Sequence, residues 1–158
     1  MINQDLKLIF EPAGYSNLST ATIFLHHEQK AIPVVLRQIR SEHIIADFSI
    51  LSVPFVLKWI FGKAQTGQNQ DEIHELLMHA AYYMGESFVR STGFLSWQIK
   101  DNLPIVKEDR TNFTLSPIQE ISKLFSQIMQ LSHGQKANTK EQSHDDIDNL
   151  LINWLIGI

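Results

Sequence analysis

The chain contains no cysteine. That absence removes disulfides, thiolate zinc sites and cysteine nucleophiles together, and leaves any metal to His, Asp or Glu. An excess of positive charge is also missing: 13 lysines and arginines stand against 17 aspartates and glutamates, for a formal net charge of −4. A chain of that sign has no net field to attract a phosphate backbone, so nucleic-acid binding is not expected. No apolar run approaches the about 20 residues that a membrane span requires. The most apolar stretch, Ile44 to Phe61, is interrupted by Asp47, Pro54 and Lys58 and reads as buried core. The opening Met1-Ile2-Asn3-Gln4-Asp5-Leu6 lacks the basic start and following apolar run of a secretory signal, which makes the cytoplasm the expected compartment. Neither a Gly-rich phosphate loop nor a Gly-x-Ser-x-Gly elbow occurs, so no cofactor and no catalytic set is expected.

What remains is the balance of a globular chain, 44% hydrophobic and 19% charged over 158 residues. That is enough for one domain with a substantial core. From Met1 to Arg40, short apolar runs alternate with turn formers at Pro12, Gly14, Asn17 and Pro33, and periodicity does not separate strands from helices. Pro54 is placed to open a helix over Phe55 to Phe61, with Gly62 and Gly67 bracketing a polar linker after it. Ile73, Leu76, Leu77, Ala80, Ala81, Met84 and Phe88 then recur at three- and four-residue steps, which predicts a central amphipathic helix from about Gln70 to Thr92. Asp71 and Glu72 suit its first turn, and Gly93 suits its end.

After Gly93 the period changes to two, with Leu95, Trp97 and Ile99 on one face. A turn at Lys100-Asp101-Asn102, a strand at Leu103 to Val106 and a third at Asn112 to Leu115 complete an antiparallel meander. Ser116-Pro117-Ile118-Gln119 starts another helix, with Ser116 placed to cap, running to about Ser132. The predicted fold is therefore α+β, a helix-dominated single domain over residues 1–133 with a small antiparallel β-meander after the central helix. Residues 134–143 read as a polar linker or loop, and 144–158 as an amphipathic helix that docks on its own domain or on a partner, a homodimer included.

His74 and His79 are five residues apart, which rotates the second by about 140° from the first on a regular helix, so the two do not chelate one ion. His26 and His27 are adjacent and on a strand would point to opposite faces. No metal site is expected. More informative is a polar row opposite the apolar stripe of the central helix: Glu72, Glu75, His79, Tyr83, Glu86 and Arg90. Glu75 reaches His79 and Glu86 reaches Arg90 at i,i+4 spacing. The plain reading is a solvated face of ordinary pairs. The functional one is a contact surface, since Tyr and Arg are enriched where proteins meet tightly.

Tyr83-Met84-Gly85-Glu86, followed by Arg90, Gly93 and Trp97, resembles the Tyr-x-Gly-Glu-x-x-x-Arg-x-x-Gly-x-x-x-Trp signature of small bacterial domains, some of them immunity proteins of toxin-delivery systems. The resemblance implies an immunity protein that binds and neutralises a cognate toxin or effector by occlusion, and the missing catalytic set and expected cytoplasmic compartment are compatible with a non-enzymatic protein of that class. The candidate contacts, taken from the polar row, are Glu75, His79, Tyr83, Glu86 and Arg90, together with residues of the meander. Its physics is structural first: Gly85 permits close approach of a neighbouring element, Gly93 stops the helix and Trp97 seals the core beside it. The alternatives are a small hydrolase or transferase built from unclustered His and carboxylates, and an adaptor or oligomerisation protein that uses its C-terminal helix.

Overall fold

The structure, a computed structural model, describes residues 20–134 and 140–158. The apolar run Leu6 to Phe10, the early turn formers and half of the expected linker lie outside the described residues. In chain order the elements are helix α1 (Thr20–Ser41), a short 3-10 turn (Ile50–Ser52), α2 (Val53–Gln65), α3 (Gln70–Thr92), strands β1 (Leu95–Lys100), β2 (Leu103–Glu108) and β3 (Thr114–Leu115), α4 (Pro117–Gly134) and α5 (Lys140–Gly157). The fold is α+β and dominated by helices, with an antiparallel three-stranded sheet in the order β1-β2-β3 after the central helix.

α3 is the hub, packed against α1, α2, α4 and β1. Its start is fixed by Asn69, whose side chain accepts the Glu72 N–H at 2.8 Å. That bond satisfies one of the donors a helix leaves bare at its first turn. Its end is fixed by Gly93, which takes the left-handed conformation at φ 72°. The hairpin that follows turns on Asp101 and Asn102, with φ of 52° and 62°. A two-residue type I′ turn needs both central residues in that region, and Asp and Asn tolerate it. The turn sets the register Lys100 opposite Leu103 and Trp97 opposite Val106.

Gly85 sits where α3 passes closest to the sheet. A Cβ there would stand 2.1 Å from Cη2 of Trp97 and 3.0 Å from Cγ of Pro117. Trp97 fills that contact, stacked on Tyr82 at 5.9 Å between ring centres and edge-on to Phe24 at 6.1 Å. The terminal helix α5 docks on its own domain: Ile147 and Leu151 are buried in the core, the Trp154 indole donates to Glu120 at 3.0 Å, and Lys58 pairs with Asp148 at 2.8 Å.

Several expectations need correction. Within the described residues the ambiguous first third is one continuous helix, α1, and Pro33 lies inside it rather than in a turn. A mid-helix proline removes one backbone bond, but Ala21, Phe24, Ile32, Leu36 and Ile39 bury one stripe of α1 in the core and outweigh that loss. His26 and His27 accordingly sit on a helix, not a strand. Gly62 falls within α2, so the linker after it shortens to residues 66–69. Ser116 makes no cap, its Oγ being buried without a hydrogen-bond partner. α5 begins at Lys140 and α4 ends at Gly134, so both helices reach into the expected linker.

Candidate binding groove between α1 and α3

The polar row on α3 does not face solvent as one surface, because α1 and the segment leading into α2 cover its middle, at His79 and Tyr83. His79 is 5% exposed and its Nδ1 shares a hydrogen bond of 2.6 Å with Oε2 of Glu28, a residue of α1 that is wholly buried. Glu75, with about half its side chain exposed, lies 3.8 Å from the other ring nitrogen of His79 and 3.9 Å from His27. The reading of His79 as a residue of a solvated or contact face gives way to this buried pair.

Tyr83 is also fully buried. Its hydroxyl accepts the Phe48 N–H at 3.0 Å and lies 2.6 Å from Ser52 Oγ. Because Ser52 gives its own proton to the Ser49 carbonyl, the Tyr83 O–H is the donor in that second bond. This peg holds Phe48 at φ 61°, a left-handed conformation that bulky residues rarely adopt. The Phe48 ring stacks on Tyr83 at 4.9 Å, and the Arg90 guanidinium lies 3.9 Å over its face.

Between the two helices runs a groove of about 620 Å³. Gln29, Pro33, Leu36, Arg37 and Arg40 line it from one face of α1, Tyr82, Glu86 and Arg90 from one face of α3, and Phe48 stands at the Arg90 end. Arg90 meets Glu86 through Nε at 3.4 Å, and Arg40 donates from Nε to the Ala46 carbonyl at 3.0 Å. A cavity of this size with an apolar floor and a few converging polar groups is the usual shape of a recognition site. Of the five residues singled out in the sequence, Glu86 and Arg90 reach the groove, Glu75 stays near the surface beside His27, and His79 and Tyr83 are enclosed behind it.

Sequence reasoning missed the α1 wall, Tyr82 and Phe48. One signal was available, an acid at position 28 inside the apolar series Phe24, Ile32, Leu36 and Ile39. Such an interruption marks a covered polar group. Among the described residues no group of three or more His, Asp or Glu is placed to hold a metal ion, and no helix is long and apolar enough to cross a membrane. No family model matches the chain, and no curated protein or solved structure matches it.

Burial, reinforced by the adjacent Glu86 carboxylate, pushes the Tyr82 hydroxyl far above the ordinary tyrosine value of 10.0. Burial also raises Tyr83, partly opposed by its bonds with Ser52 and Phe48. The folded chain therefore keeps protons that the unfolded chain releases near pH 10.0. This advantage is complete below that pH and is lost as pH climbs through the raised folded values. Stability should decline with alkalinity above about pH 10, and Tyr83→Phe should flatten the decline while costing about 1–3 kcal/mol at neutral pH, because the Phe48 N–H loses its acceptor. Urea denaturation across the alkaline range measures both effects. Identical slopes for the two proteins would contradict the assignment.

Proposed function

We propose that the chain is a non-enzymatic cytoplasmic immunity protein that binds a cognate bacterial toxin and neutralises it by occlusion. The groove between α1 and α3 carries this reading, because it gathers arginine, tyrosine and phenylalanine on one concave surface. Arg and Tyr anchor tight protein contacts, and a concave desolvated centre is where such anchors work best. The signature residues divide accordingly: Tyr83, Gly85, Gly93 and Trp97 build the scaffold, whereas Glu86 and Arg90 look into the groove.

The test is co-expression with the product of the adjacent gene. The expected result is a stable complex that copurifies, together with growth of the co-expressing cells under conditions where that product expressed alone arrests growth. Failure of the purified pair to associate at micromolar concentration would overturn the proposal.

A further inference from the structure

We infer that the groove between α1 and α3 is a carboxylate-binding site whose occupant is an acidic side chain presented by the protein partner. The partner's identity as a toxin rests on the reading above; the carboxylate chemistry does not. The chain has four arginines and nine lysines, and three of those arginines, Arg37, Arg40 and Arg90, line this one groove, while none of the lysines among the described residues does.

Compensation of helix dipoles accounts for a cation in the last turn of α1 or α3, where Arg40 and Arg90 stand. Lysine would serve that purpose equally, and Arg37 lies a turn earlier. Selection of arginine at all three places points to the planar fork of the guanidinium, which binds a carboxylate with two parallel hydrogen bonds.

Arg37 and Arg90 retain donors for this purpose, Arg37 making no ion pair among the described residues and Arg90 using only Nε on Glu86, at 3.4 Å. Arg40 already gives Nε and one Nη to the Ala46 carbonyl and offers its remaining N–H groups. Three guanidinium charges against the single Glu86 carboxylate leave the groove at +2, on a chain whose net charge is −4. Acidic groups are therefore drawn to this feature and repelled by much of the remaining surface. A net positive charge draws any anion, so the preference for an acidic side chain over a bare phosphate rests on the apolar lining. That lining, Ile32 and Leu36 with Phe48 at the Arg90 end, suits the apolar stem and neighbours of an acidic side chain.

The experiment uses the full chain, labelled with ¹⁵N, and follows the arginine Nε–Hε signals. The probes are a capped Leu-Glu-Leu-Glu peptide, its Leu-Gln-Leu-Gln counterpart and inorganic phosphate. The glutamate peptide should shift the Arg37, Arg40 and Arg90 signals saturably, the glutamine peptide should leave them in place, and Arg37→Lys should weaken binding about tenfold because it keeps the charge and loses the fork. Arg37 is exposed, so the variant should melt with the parent, and Arg37→Gln provides a second reading of the same loss. Equal shifts with the glutamine peptide, tighter binding of phosphate, or no effect of Arg37→Lys would each overturn the inference. No toxin takes part in this titration, so its failure leaves the immunity reading intact. Conversely, a chain that binds the glutamate peptide but no toxin loses that reading and keeps the site.

Discussion

Gly85→Ala should destabilise the fold by about 3 kcal/mol or more, although it adds a single methyl group. For a domain of this size that corresponds to a fall of about 6–12 °C in melting temperature. The sign is diagnostic, since alanine at an open helix position would gain about 1 kcal/mol over glycine. At position 85 the new Cβ falls 2.1 Å and 2.4 Å from two carbons of the Trp97 ring. That ring is held on two sides, stacked on Tyr82 at an interplanar angle of 7° and abutted by Phe24, so making room for the methyl group breaks these contacts. Trp97→Leu should restore much of the loss in the Gly85→Ala background, because the smaller side chain vacates the space. A double-mutant cycle read by thermal melts checks the coupling. A Gly85→Ala protein that melts with the parent would refute the close approach of α3 and β1.

The second large effect concerns Glu28 and His79. Glu28 is fully enclosed and its Oε1 has no hydrogen-bond partner among the described residues, so the carboxylate depends on His79 for its compensation. Removing one member of a buried pair costs about 3–5 kcal/mol, whereas replacing both with apolar groups is often neutral or favourable. His79→Leu should therefore be the worse single change, as it strands a carboxylate in the core. Glu28→Leu should be milder, because His79 keeps an outlet toward the half-exposed Glu75 at 3.8 Å. The double variant should recover most of the stability lost by either single variant. Chemical denaturation of the four proteins decides the matter, and strictly additive losses would mean that the two side chains do not act as a pair.

The fold was legible where apolar spacing and stop signals agree. α3 spans Gln70–Thr92 as its stripe predicts, Gly93 ends it, and the switch to a period of two marks β1. α1 was not legible because Pro33 and the mixed pattern around it resemble a turn, and only the core contact of its buried stripe holds the helix through that residue.

The site was harder to read for a related reason. Periodicity reveals that one face of α3 is polar, but not whether another element covers it. His79 and Tyr83 are buried because α1 supplies Glu28 and the segment before α2 supplies the Phe48 N–H and Ser52. Glu86 and Arg90 belong to the groove only because Arg37 and Arg40 stand opposite, more than forty positions away in sequence.

The left-handed Phe48 bears on any ligand of the groove. A loop ordered by binding subtracts the entropy of its immobilised side chains, about 0.5–1.5 kcal/mol each, from the affinity. Here the Tyr83 hydroxyl fixes Phe48 in the free protein, so the end wall is preorganised and that subtraction is already made at folding. Tyr83, enclosed behind the groove, thus acts on it from the core side: loosening that peg raises the entropy of the empty state and weakens every occupant alike, whatever its chemistry.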